Sequence, residues 1–145
     1  MKRLLVVMAF VMLLLICSLI AHAEISESEW VDRVVDMQNE FPNGTIWTHD
    51  GGGNGYRGIA WQCHGFALYA ANRIFGAEDA RQWPKVYDVN QLKRGDIVRR
   101  SSSSGGHTFV VQDVIGDTII FFECNWNYKN GVDWYLEISK SFLSL

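Results

Sequence analysis

Trp61-Gln62-Cys63-His64-Gly65-Phe66-Ala67-Leu68-Tyr69-Ala70-Ala71 marks a change from loop to helix, with a cysteine at the junction. Ahead of it, Gly51-Gly52-Gly53-Asn54-Gly55 is too glycine-rich for a regular element. Behind it, Phe66, Ala67, Ala70, Ile74 and Phe75 recur at helical spacing as far as Gly76. The pattern therefore predicts a helix that starts beside Cys63. A thiol there meets unpaired backbone N–H groups and the positive end of the helix dipole, and both favour the nucleophilic thiolate. The alternative is a buried cysteine that merely opens a core helix.

Towards the N-terminus, Ser26 and Glu29 form a capping-box pattern. Trp30, Val31, Val34, Met37 and Phe41 follow on one helical stripe, and Pro42-Asn43-Gly44 ends it. Thr45 to Gly58 reads as loop, in which Asp50 and Asn54 are the possible oxygen ligands for calcium. One carboxylate is too few for a typical site, so no metal and no cofactor are expected. Met1-Lys2-Arg3, the apolar run Leu4 to Ile20 and Ala21-His22-Ala23 read together as a signal peptide over residues 1–23, cleaved after Ala23. The run approaches the roughly 20 residues that span a bilayer, so a retained anchor is the alternative. Residues 24–145 are then a single domain, secreted or held in the periplasm or cell wall, monomeric and off the membrane after cleavage.

Without Lys2 and Arg3 the formal charge goes from −3 to −5, with no basic run, which argues against a nucleic-acid partner. Only Cys63 and Cys124 follow the signal segment, so a disulfide framework is excluded, and one Cys63–Cys124 bridge is the structural alternative to a reactive thiol. Six tryptophans suggest a core plus an aromatic-lined groove. Asp96–Arg99, His107–Val111, Thr118–Phe122 and Val132–Ile138 are β-rich runs separated by turn residues. Helices followed by an antiparallel sheet make an α+β domain.

A thiolate needs a base or ion-pair partner. His64 adjoins Cys63, but neighbouring helical residues point about 100° apart, and His49 lies in loop. His107 opens a strand directly after Gly105-Gly106, where a substrate backbone has room to approach, and is the best candidate. In Glu123-Cys124-Asn125, strand alternation puts Glu123 and Asn125 on one face and Cys124 on the other. Either of the pair can accept the second ring N–H of His107, the orienting role in nucleophile–base catalysis.

Gln62-Cys63 opening a helix, Gly95-Asp96 entering a strand, Gly106-His107 opening the next and Glu123-x-Asn125 ending the one after resemble the CHAP family of cysteine, histidine-dependent amidohydrolases/peptidases. The resemblance spans about Thr45 to Asn125 and implies a papain-like fold: N-terminal helices packed on a C-terminal antiparallel sheet. It implies Cys63 as nucleophile, His107 as base, Glu123 as its orienter and Asn125 as an assisting group. The expected activity is cleavage of amide bonds in the peptide part of peptidoglycan. Gln62, Trp61, Gly106 and Trp126 are candidate substrate or oxyanion contacts. The glycine-rich loop departs from the acid-rich loop of calcium-binding members. Two rival readings are a non-catalytic secreted binding domain of the same fold and a thiol protease or transglutaminase-like enzyme acting on protein.

The site depends on strand register. A plain two-residue Gly116-Asp117 turn pairs Ile115 with Thr118 and puts Phe109 opposite Cys124, so that His107 shares a face with Cys124. An odd-length loop or a β-bulge shifts this by one and sets Phe109 opposite Glu123, within diagonal reach of His107. Function requires the shifted register, with Gly116 expected to take positive φ.

Overall fold

The computed structural model describes residues 25–47, 56, 62–102, 105–126 and 131–143. The signal segment, Trp61 and the loop residues Asp50 and Asn54 lie outside them. Helix α1 spans Glu27–Glu40, and the Ser26 side chain accepts the Glu29 N–H at 3.2 Å, so the predicted cap forms. Trp30, Val34, Met37 and Phe41 are buried, but Val31 is exposed, one position off the stripe to which it was assigned. Helix α2 spans Gln62–Phe75 and ends where Gly76 takes φ 69°. Arg33 joins the helices by donating to the Ile74 carbonyl while pairing with Glu29, and Glu40 receives both Tyr69 Oη, at 3.0 Å, and Arg73.

Two single 3-10 turns, Ala80–Gln82 and Val89–Gln91, interrupt an otherwise irregular connection to the sheet. Strands β1 (Ile97–Ser102), β2 (Gly105–Ile115), β3 (Thr118–Cys124) and β4 (Val132–Ser139) pair antiparallel in sequence order. A short helix α3, Lys140–Leu143, follows. Gly95 enters the sheet with φ 86°, and a Cβ there would stand 2.5 Å from the Phe75 ring, so a close approach and a left-handed backbone both require glycine.

The sheet has an apolar layer on each face. Val110, Phe122, Cys124, Val132 and Trp134 pack on α1 and α2 around Phe66 and Trp47. Phe109, Val111, Ile119 and Phe121 form a second cluster with Leu136, Ile138 and Leu143. The fold is thus α+β and papain-like, as the sequence indicated.

Ile115 pairs with Thr118, so the turn does have two residues, yet Phe109 lies opposite Glu123. A bulge at Gln112, between the Val111 and Asp113 pairings, makes up the difference, and Gly116 takes φ 59°. The extra residue lets Val111 and Val114, an odd number of positions apart, join the same cluster. A second bulge in β4, around Tyr135 at φ 59°, sends Trp134 to one face and Leu136 to the other.

Candidate active site

Cys63 is the second residue of α2, directly after Gln62, whose φ of 49° is unusual for a residue with a Cβ. Helix α2 rests on the Val110–Phe122 face, and its N-terminus meets the sheet near the start of β2. There the backbone N–H groups of Thr108 and His64 reach the Cys63 sulfur, and the His107 ring hydrogen-bonds it. His107 therefore shares the Phe109 side of β2 yet reaches a helix packed on the opposite side, because contact occurs at the sheet's end.

On the far side of the ring, His107 Nε2 stands 3.0 Å from Oε2 of Glu123. The contact is at hydrogen-bond distance and becomes charge-assisted when the imidazole is protonated. This leaves Nδ1 for the thiol. Oε1 of Glu123 accepts the Trp126 N–H at 3.1 Å, which satisfies one oxygen of a carboxylate only 1 % exposed. The Trp126 ring stands edge-on to the imidazole, centroids 4.7 Å apart, and both line a small pocket.

Burial opposes ionisation of Cys63, but the His107 hydrogen bond, the Thr108 N–H, the nearby imidazolium charge and the His64 N–H outweigh it. The thiol is held below its ordinary range. Burial likewise opposes the charged form of His107, and Cys63 and Glu123 override it, raising the imidazole to about 9. Burial pushes the Glu123 carboxyl up, with His107 and the Trp126 N–H pulling against it. The arrangement favours a thiolate beside an imidazolium backed by a buried carboxyl group. Cys124 is a thiol on the other face of β3, inside the helix-side core, and Cys63 is also a thiol, so no bridge joins them.

The other expected residues divide. Asn125 does not stand beside Glu123 on the strand. Strand β3 stops at Cys124, and Asn125 turns away at φ 72° with its N–H bonded to the Gly131 carbonyl. That turn is what returns the Trp126 N–H to Glu123. Trp126 lies against His107, Gln62 is exposed at the head of α2, and Gly106 pairs with Ser101 one residue before His107. The Thr108 and His64 N–H groups had no signal in the sequence, since any residue supplies a backbone amide.

A cleft of about 420 Å³ runs between α2, the 83–87 segment and β1; its lining includes His64 and Thr108, the chain neighbours of Cys63 and His107, but not the Cys63 or His107 side chains themselves. Among the described residues, no group of three metal-ligating side chains converges, and no helix is long and apolar enough to cross a membrane.

No curated protein matches the chain. The family model described as CHAP domain matches residues 51–125, just over half the chain and the segment that carries Cys63, His107 and Glu123. A helix-borne cysteine on an antiparallel sheet, within that match, makes this chain a member of the CHAP family, whose activity is in general that of a hydrolase.

Proposed function

We propose that the chain is an exported cysteine amidohydrolase or endopeptidase that cleaves amide bonds in the peptide part of peptidoglycan, working as a monomer after removal of residues 1–23. The observation that carries this reading is the meeting of Cys63, His107 and Glu123, brought from a helix start and two strands into one contact chain.

In the reaction, the Cys63 thiolate attacks the amide carbonyl carbon and forms a C–S bond. The oxyanion is stabilised by backbone N–H groups at the start of α2, aided by Gln62 and by the helix dipole. His107, as imidazolium, gives its proton to the leaving nitrogen as the C–N bond breaks, and a thioester remains. Neutral His107 then takes a proton from water, whose oxygen attacks the thioester. Collapse of that intermediate expels the thiolate and frees the carboxylate product. Glu123 acts through His107, holding its tautomer and supporting its positive charge.

Purified peptidoglycan, incubated with the protein and analysed by mass spectrometry for newly exposed amines, tests the reading. A new N-terminus in stem or bridge peptide, absent with Cys63→Ala, is expected. Intact peptidoglycan alongside cleavage of a denatured protein substrate would replace this reading with that of a protease.

A further inference from the structure

The cleft lined by His64 and Thr108, the chain neighbours of Cys63 and His107, is positively charged although the chain as a whole is acidic. Arg99, Lys85 and Arg81 line it, against Asp96. Arg81 is already committed, with two bonds of 2.8 Å to Asp79. Among the described residues no carboxylate pairs with Arg99 or Lys85. Arg99 lies on β1, and its Nη1 is 3.4 Å from Oγ1 of Thr108, the buried residue whose N–H touches the Cys63 sulfur. Its guanidinium is thereby set one residue from the thiol. Asp96 accepts the Lys93 N–H at 2.9 Å through Oδ2, and its single negative charge is outnumbered by Arg99 and Lys85.

The outer wall is aromatic and unusually bare. Tyr87 is 90 % exposed and Val86 about half, although neither has a packing role that demands an apolar residue there. Trp83 and Pro84 continue the wall inward. The charge also registers at His64, which burial, Arg99 and Arg81 together hold below the ordinary imidazole range.

We propose that this cleft is a specificity subsite that takes a free carboxylate of the peptide substrate, on a residue flanking the scissile amide, with Arg99 as the main anchor and Lys85 in support. The aromatic rim contacts the adjoining peptide. This deepens the peptidoglycan reading and rests on it, since stem peptides carry such a carboxylate on their γ-linked glutamyl residue. An arginine fork suits a carboxylate, and a neutral carboxamide offers it a much weaker partner.

The test uses Cys63→Ala protein and two synthetic stem peptides, Ala-γ-Glu-Lys-Ala with its C-terminus capped as an amide, carrying either the glutamyl α-carboxylate or the carboxamide. Calorimetric titration should show the carboxylate peptide binding about tenfold tighter. In Arg99→Gln that ratio should fall towards one, and Arg99→Lys should restore part of it. Equal affinities, failure of both peptides to bind, or a ratio unmoved by Arg99→Gln would each overturn the proposal. Cleavage of the same peptides by protein with Cys63 intact is read separately. Selective binding without cleavage would count against the hydrolase reading while upholding the subsite.

Discussion

Cys63 and Cys124 are both buried thiols, at 9 % and 0 % exposure, and their surroundings could hardly differ more. Cys124 is the last residue of β3, and its side chain lies among Phe122, Val132 and Trp134 in the helix-side core. Cys63 lies at the junction of a helix start and a strand start, where backbone amides have not been consumed by a ladder and two of them reach its sulfur. Burial by itself penalises a thiolate at either place. Reactivity depends on donors and a cation that enter with the sulfur, and at Cys63 the start of α2, the start of β2 and the His107 ring supply them.

The largest test of this contrast is to remove each thiol in turn. Cys63→Ser is expected to lower kcat/KM by about 10⁴-fold or more, with the far-ultraviolet circular dichroism unchanged. Cys124→Ala should leave kcat/KM near wild type and cost about 1 kcal/mol in chemical denaturation, as a small core truncation does. In the intact protein iodoacetamide should label Cys63 first at neutral pH. Preferential labelling of Cys124, read by peptide mass mapping, would reverse the comparison.

A second test sharpens what the partners contribute. With His107 raised to about 9, the imidazolium is present below that pH and lost above it, so kcat should fall on the alkaline side with a midpoint near 9. Glu123→Gln removes the buried negative charge but keeps the shape. It is expected to lower kcat by roughly 10²-fold and to move the alkaline midpoint downward, because less opposes deprotonation of the ring. An unmoved midpoint would show that Cys63 alone sets the imidazole, and would remove Glu123 from the orienting role.

The smallest effect is expected far from either thiol. Gly116 turns the β2–β3 hairpin at φ 59°, with no atom close to where a Cβ would lie, so Gly116→Ala meets backbone strain without a clash. A loss of about 1 kcal/mol in stability is expected, with the Cys63-to-Cys124 labelling ratio unchanged. A changed ratio would mean that the turn, and not the bulge at Gln112, holds the two faces of β3 in place.

Much of this was legible from residue order. The Ser26 cap, the α2 periodicity ending at Gly76 and the four β-rich runs are decided by contacts within a few residues, and such contacts are written directly in the sequence. Cys63 at a helix start and the opposed faces of Glu123 and Cys124 follow from the same short-range rules. Asn125 falls outside β3 because those rules carry a strand onward until something stops it, and here the stop is the left-handed backbone of Asn125 at φ 72°.

Register was different in kind. From the sequence, two pairings of β2 with β3 were open, one joining His107 to Glu123 and one separating them, and turn chemistry alone pointed to the wrong one. Only the packed sheet chose, by placing the bulge at Gln112 so that Phe109, Val111 and Val114 all face one apolar layer. The same holds for the Thr108 and His64 amides at the sulfur, the Trp126 ring over His107 and the Arg99 cleft. Short-range patterning determined which residues could act, and long-range packing decided which of them meet, because a one-residue slip costs nothing locally and turns every side chain to the opposite face.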